Sequence, residues 1–134
     1  MNETKICSKC KIEKPISEYH KNGFKANGEQ KYRGYCKDCA NKLETERYWK
    51  KREFIDNQRN QCEKCGEIRS YVLDFHHIDP ENKKFTIGKL KKGSTEVIQA
   101  EIDKCVCLCA NCHRAFHYLE KLNQITIQEF LENE

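Results

Sequence analysis

Residues 104–117 read KCVCLCANCHRAFH, and residues 73–85, upstream of them, read LDFHHIDPENKKF. In the first stretch Cys109 and Cys112 are two residues apart, and His113 and His117 follow at a spacing of four. Side chains at i and i+4 share one helix face, so both imidazoles can reach one metal ion. Helical spacing continues through Ala115, Phe116, Leu119 and Leu122. Residues 104–108 read as a strand entering the pair, and residues 71–76, YVLDFH, as an earlier strand rich in β-branched and aromatic side chains. That earlier strand ends in His76-His77. Neighbours on a strand point to opposite faces, so the two cannot easily share a role. With the strand against the helix, His76 can be a third metal ligand. His77 is then free for proton transfer, which neutral imidazole suits near pH 7.

The 134-residue chain holds ten cysteines. Eight of them form Cys-x-x-Cys pairs: Cys7/Cys10, Cys36/Cys39, Cys62/Cys65 and Cys109/Cys112. A two-residue gap turns both sulfurs toward one tetrahedral ion, and zinc favours thiolates. Neighbouring pairs predict one structural zinc on Cys7, Cys10, Cys36 and Cys39 and a second on Cys62, Cys65, Cys109 and Cys112. Apolar residues make up only 37% of the chain, too few for one large core, so metals are expected to replace it as staples. A thioredoxin-like redox pair needs a βαβ context that the pattern lacks. Cys105 and Cys107 remain. They read as small buried hydrophobes; the alternative is that Cys107 serves as a replacement ligand. The N-terminus MNETKICSKC has no apolar signal region, and no apolar run nears the ~18 residues of a membrane span. A reducing cytoplasm with no membrane partner is therefore expected, where disulfides are rare.

The predicted class is a small, zinc-stabilised α+β protein. Residues 1–40 form a four-cysteine, ribbon-like module with turns at Asn22-Gly23 and Asn27-Gly28. Residues 41–60 lack Pro and Gly and read as a basic helical linker, with Trp49 beside Lys50, Lys51 and Arg52. Residues 61–122 form the second module. Its first strand is broken by Asp79-Pro80, and a long loop follows before a short helix capped by Ser94, with Val97, Ile98 and Ile102 as its apolar face. Residues 123–134 hold a short helix behind a Thr126/Glu129 capping box.

The stretches LDFHHIDPENKKF and EIDKCVCLCANCHRAFH resemble the HNH endonucleases of phages and bacteria, over about residues 62–119. The resemblance implies the ββα-metal (His-Me finger) fold above a zinc knuckle, and hydrolysis of DNA to 5′-phosphate and 3′-hydroxyl ends. Residues 1–40 are similar to a four-cysteine module often attached before such domains. The whole looks like a free-standing phage or mobile-element nuclease of the bacterial cytoplasm. Carried over by position, His77 would be the general base. His76, His113 and His117 would hold a catalytic divalent ion, Mg²⁺, Mn²⁺, Ni²⁺ or Zn²⁺. One position departs from the pattern: the family's Asn, five residues before the first Cys of the knuckle, is Lys104 here. Lys104 could contact the scissile phosphate in its place, or the orienting role could pass to Glu101 or Asn111. The alternative function is a catalytically weakened two-module zinc protein that binds DNA or a protein partner.

The formal charge of +4 is a weak guide to DNA binding, because two four-thiolate zinc centres carry a net −2 each and offset it. Placement matters more. Residues 1–58 carry 14 basic and 9 acidic side chains, against 11 and 12 in the remainder. Lys50, Lys51 and Arg52 in the linker, Lys83 and Lys84 in the long loop, and Arg114 after the knuckle are the expected phosphate contacts, and Lys89, Lys91 and Lys92 could line a DNA groove beside them; the alternative for linker and loop alike is a solvated charged surface.

Overall fold

A computed structural model describes residues 3–89, 93–122 and 124–133, so Lys91 and Lys92 lie outside the described residues. The chain divides into two compact units, Met1–Trp49 and Lys50–Glu134, both small α+β structures. Among the described residues no helix is long and apolar enough to cross a membrane.

In the first unit the Cys7/Cys10 knuckle connects β1 (Thr4–Ile6) to β2 (Glu13–Pro15), paired antiparallel with Lys5 opposite Lys14. A second antiparallel ladder joins β3 (Tyr19–Phe24) to β4 (Gln30–Cys36), Tyr19 lying opposite Cys36. Asn27-Gly28 makes the expected turn, with the Gly28 N–H donating to Lys25 O at 3.0 Å. Asn22-Gly23 does not. It lies inside β3, where the register shifts between Lys21 and Phe24 and Gly23 takes φ 75°. The positive φ that glycine tolerates serves a bulge there instead of a turn. Helix α1 (Lys37–Gln58) starts directly after Cys36, earlier than residue 41, so Cys39 sits in its first turn. The buried residues are Cys7, Tyr19 and Cys36, with Ile16, Tyr32 and Tyr35 packed against them. So small an apolar cluster needs a staple.

In the second unit β5 (Leu73–His77) and β6 (Cys105–Cys109) pair antiparallel, with Leu73 opposite Cys109 and His77 opposite Cys105. β5 begins later than the β-forming run because Ser70–Val72 forms a 3₁₀ turn that leaves Tyr71 in solvent. Helix α2 (Thr95–Ile102) follows Ser94, and α3 (Ala110–Lys121) follows β6 and packs on both strands. Phe116 of α3 shares a core with Leu73, Val106, Leu108 and, from α4 (Ile127–Glu132), Ile127 and Phe130. The Thr126/Glu129 capping box forms as expected. A second core joins Ile55 of α1 to Ile87, Ile98 and Ile102.

The inward face of α2 differs from the apolar pattern. Ile98, Glu101 and Ile102 are buried, while Val97 is 47% exposed. A carboxylate thus takes an interior position. Cys107 joins the first core and Cys105 packs against the second, and burial pushes their thiols up to about 11 and about 12. Neutral thiols in apolar surroundings behave as small hydrophobes.

Candidate metal centres and catalytic site

Cys7, Cys10, Cys36 and Cys39 converge, and so do Cys62, Cys65, Cys109 and Cys112, the ligand atoms of each set lying within 4.8 Å of one another. Cys7 and Cys39 sulfurs are 3.8 Å apart, Cys65 and Cys109 sulfurs 3.6 Å. Zn–S bonds of about 2.3 Å at tetrahedral angles separate sulfurs by about 3.8 Å, so both sets fit zinc. Burial acts to raise the Cys7 and Cys62 thiols. Backbone N–H donors at Cys36, Cys10 and Lys9 around the first, and at Cys109, Cys65 and Lys64 around the second, outweigh it and hold both below the ordinary thiol range. At one ligand of each set the environment thus favours the thiolate zinc requires, whereas burial raises the thiols of Cys39 and Cys112. None of the ten cysteines is in a disulfide.

A third cluster joins His76 of β5 to His113 and His117 of α3. His76 Nδ1 lies 3.2 Å from His113 Nε2, which lies 3.2 Å from His117 Nε2. Nitrogens bound to one tetrahedral ion at 2.0–2.1 Å stand about 3.3 Å apart. The outer nitrogens of the helical pair meet carboxylates: His113 Nδ1 is 3.4 Å from Asp74 Oδ2, and His117 Nδ1 is 3.0 Å from Glu120 Oε2. Such partners fix ring orientation and tautomer in metal-binding histidines. Burial, then the neighbouring His113 and His117, drives His76 down to about 4, so its lone pair is available at neutral pH. The donor set fits a divalent ion, and three protein ligands leave room for water or substrate.

His77 faces the other way. Its Nε2 lies 2.8 Å from Glu101 Oε1. Glu101 is 1% exposed; its Oε1 also accepts the Lys84 N–H at 2.9 Å, and its Oε2 accepts from Lys104 Nζ at 2.9 Å. Burial opposes the carboxylate, but the bonds from Lys104, the Lys84 backbone and His77 prevail and lower its pKa to about 2. Lys104 Nζ also donates to Asn82 O at 3.1 Å.

A cavity of about 490 Å³ gathers His76, His77, His113 and His117 with Asp74, Lys83 and Arg59 on its wall. Arg59 was not legible as a site residue: it is one charged side chain in a charged stretch. Its guanidinium donates to Asp56 Oδ1 at 2.8 Å and stacks 5.7 Å from the Phe75 ring centre, and its buried Nε has no hydrogen-bond partner among the described residues. Of the other expected phosphate contacts, Lys84 is tied in by its backbone, Lys50 and Arg114 are exposed, Lys51 is half-buried, and Arg52 pairs with Asp56 at 3.3 Å. Asn111 is exposed and off the cavity wall.

The chain is 27% identical, over 79 residues, to the type IV methyl-directed restriction enzyme EcoKMcrA of Escherichia coli strain K12. The match covers 54% of this chain and 24% of that enzyme, so the chain spans about a quarter of its relative. No protein-family profile matches the chain. No solved structure matches it significantly.

Proposed function

We propose that the chain is a metal-dependent DNA endonuclease of the HNH type, with its chemistry in the second unit. The observation that carries this reading is the division of labour between His76 and His77: one joins the histidine cluster, its neighbour meets a buried carboxylate on the opposite face. Partial similarity to a restriction enzyme supports DNA as the substrate. A divalent ion on His76, His113 and His117 would supply Lewis-acid stabilisation of the charge that develops on the phosphate and leaving oxygens. His77 donates Nε2–H to Glu101, which leaves the Nδ1 lone pair to take a proton from the attacking water. Arg59 and Lys83 set positive charge on the cavity wall against the phosphate oxygens. Lys50, Lys51, Arg52, Lys84 and Arg114 contact the DNA backbone away from the reacting bond. Each structural zinc would hold one unit folded, the first on Cys7, Cys10, Cys36 and Cys39 and the second on Cys62, Cys65, Cys109 and Cys112, without part in the reaction.

Plasmid cleavage tests this directly. Supercoiled DNA should be nicked in Mg²⁺, Mn²⁺, Ni²⁺ or Zn²⁺, leaving 5′-phosphate ends, and chelation should stop the reaction. His77→Ala should lower the rate by about 100-fold or more with zinc content unchanged. Cleavage by His77→Ala at the wild-type rate, or DNA binding by the wild type with no cleavage in any ion, would overturn the proposal.

A further inference from the structure

We infer that Glu101 and Lys104 act as one charged positioning pair, which fixes the tautomer of His77 and anchors to it the loop that carries Lys83. The inference rests on the nuclease reading of the same site. An ionised carboxylate only accepts hydrogen bonds, so the bond at 2.8 Å puts a proton on Nε2, and in the neutral form of His77 that is the ring's one proton. Nδ1 is thereby the basic nitrogen. Without this bond the neutral ring could carry its proton on either nitrogen, and a fraction of the molecules would present the wrong one.

Lys104 completes the arrangement. A fully buried carboxylate is unfavourable unless it is paired and hydrogen-bonded. Glu101 meets that requirement through Lys104 Nζ, His77 Nε2 and the Lys84 N–H. Lys104 spends its ammonium on Glu101 Oε2 and Asn82 O, both within the protein. Neither Glu101 nor Lys104 lies on the cavity wall, so they are positioning residues and do not touch substrate. Asn82 and Lys84 flank Lys83, which does reach the cavity. The base and a phosphate-facing cation therefore share one anchor. Ile98 and Ile102, buried on either side of Glu101 along α2, hold that anchor still.

The test uses the full chain with Glu101→Gln, which keeps size and one acceptor oxygen but removes the charge, and with Lys104→Met and Lys104→Arg. Two quantities are read: ¹⁵N chemical shifts of the His77 ring without DNA, and kcat and KM for plasmid cleavage. The wild type should show a single Nε2-protonated tautomer, and Glu101→Gln a mixture. Glu101→Gln should lower kcat by about 10- to 100-fold with KM and metal content unchanged. Lys104→Met should lower kcat by less, and Lys104→Arg should restore it. An Nδ1-protonated His77 in the wild type would overturn the inference whether or not DNA is cut. So would a wild-type kcat in Glu101→Gln, or a Lys104→Met variant altered in KM alone, which would make Lys104 a substrate contact. A wild type with the expected tautomer that cuts nothing would count against the nuclease reading and leave the positioning pair standing.

Discussion

Lys11 and Gly66 occupy the same place in the two units. Each follows the second cysteine of a knuckle, takes a positive φ of 62° or 76°, and donates its N–H at 2.9 Å to the carbonyl of the first cysteine, Cys7 or Cys62. Cys7 and Cys62 in turn donate their N–H groups to Ile12 O and Glu67 O. In both units the third cysteine of the set ends a strand, Cys36 opposite Tyr19 and Cys109 opposite Leu73. The last cysteine lies in the first turn of a helix, Cys39 in α1 and Cys112 in α3. Beyond this shared frame the units part. One and five residues after Cys39 stand Ala40 and Glu44; the same places after Cys112 hold His113 and His117. β3 and β4 are joined by a tight turn, whereas β5 and β6 are joined by a long connection that brings in α2 and Glu101. The four-cysteine frame is common to both units, and what sets the second apart is two histidines on its helix and one long connection, where the proposed chemistry would lie.

The largest effect should come from breaking one frame at a time. Cys109→Ser should remove the second zinc, worth on the order of 10 kcal/mol in structural sites, and unfold residues 50–134 by circular dichroism, with loss of all cleavage. Cys36→Ser should lower zinc content equally and leave a kcat within about tenfold of wild type. Equal loss of kcat in both would show that the units do not divide their roles as described. Next, His113→Ala should abolish one divalent site and lower cleavage by about 100-fold or more, with both structural zincs retained on metal analysis. In the converse direction, Ala40→His with Glu44→His places an i, i+4 histidine pair on the first frame. Calorimetry should find new Ni²⁺ binding there, and plasmid assays no new cleavage, because no His77 equivalent faces it. The smallest effect concerns the knuckles. Gly66→Ala should cost about 1 kcal/mol in chemical denaturation, and Lys11→Gly should gain up to about 1 kcal/mol, since L-residues resist positive φ.

Much of this was written in local spacing. Zinc ligands come in pairs two residues apart, so the cysteine sets were legible, and each set converges as the spacing predicts. Helical period and strand alternation likewise separated His113 and His117 from His77. What stayed hidden depends on partners distant in the chain. Glu101 on the buried face of an eight-residue helix contradicts the hydrophobic pattern, and only Lys104, His77 and the Lys84 backbone explain it. Ile55 is the one buried residue in a long charged helix, so periodicity could not single it out. Asn22-Gly23 signals a positive φ, but the same dipeptide serves a turn or a bulge, and the pairing of Lys21 with Tyr32 decides which.

In the proposed reading the third metal site, on His76, His113 and His117, carries the cleavage chemistry, while the two cysteine sites act only by holding their units folded. Titrating a divalent ion into protein that retains its two zincs, with cleavage rate and site occupancy followed together, tests it most directly. One further ion should bind per chain and the rate should rise in proportion to its occupancy, both lost in His117→Ala. Cleavage at full rate with that site empty would contradict it.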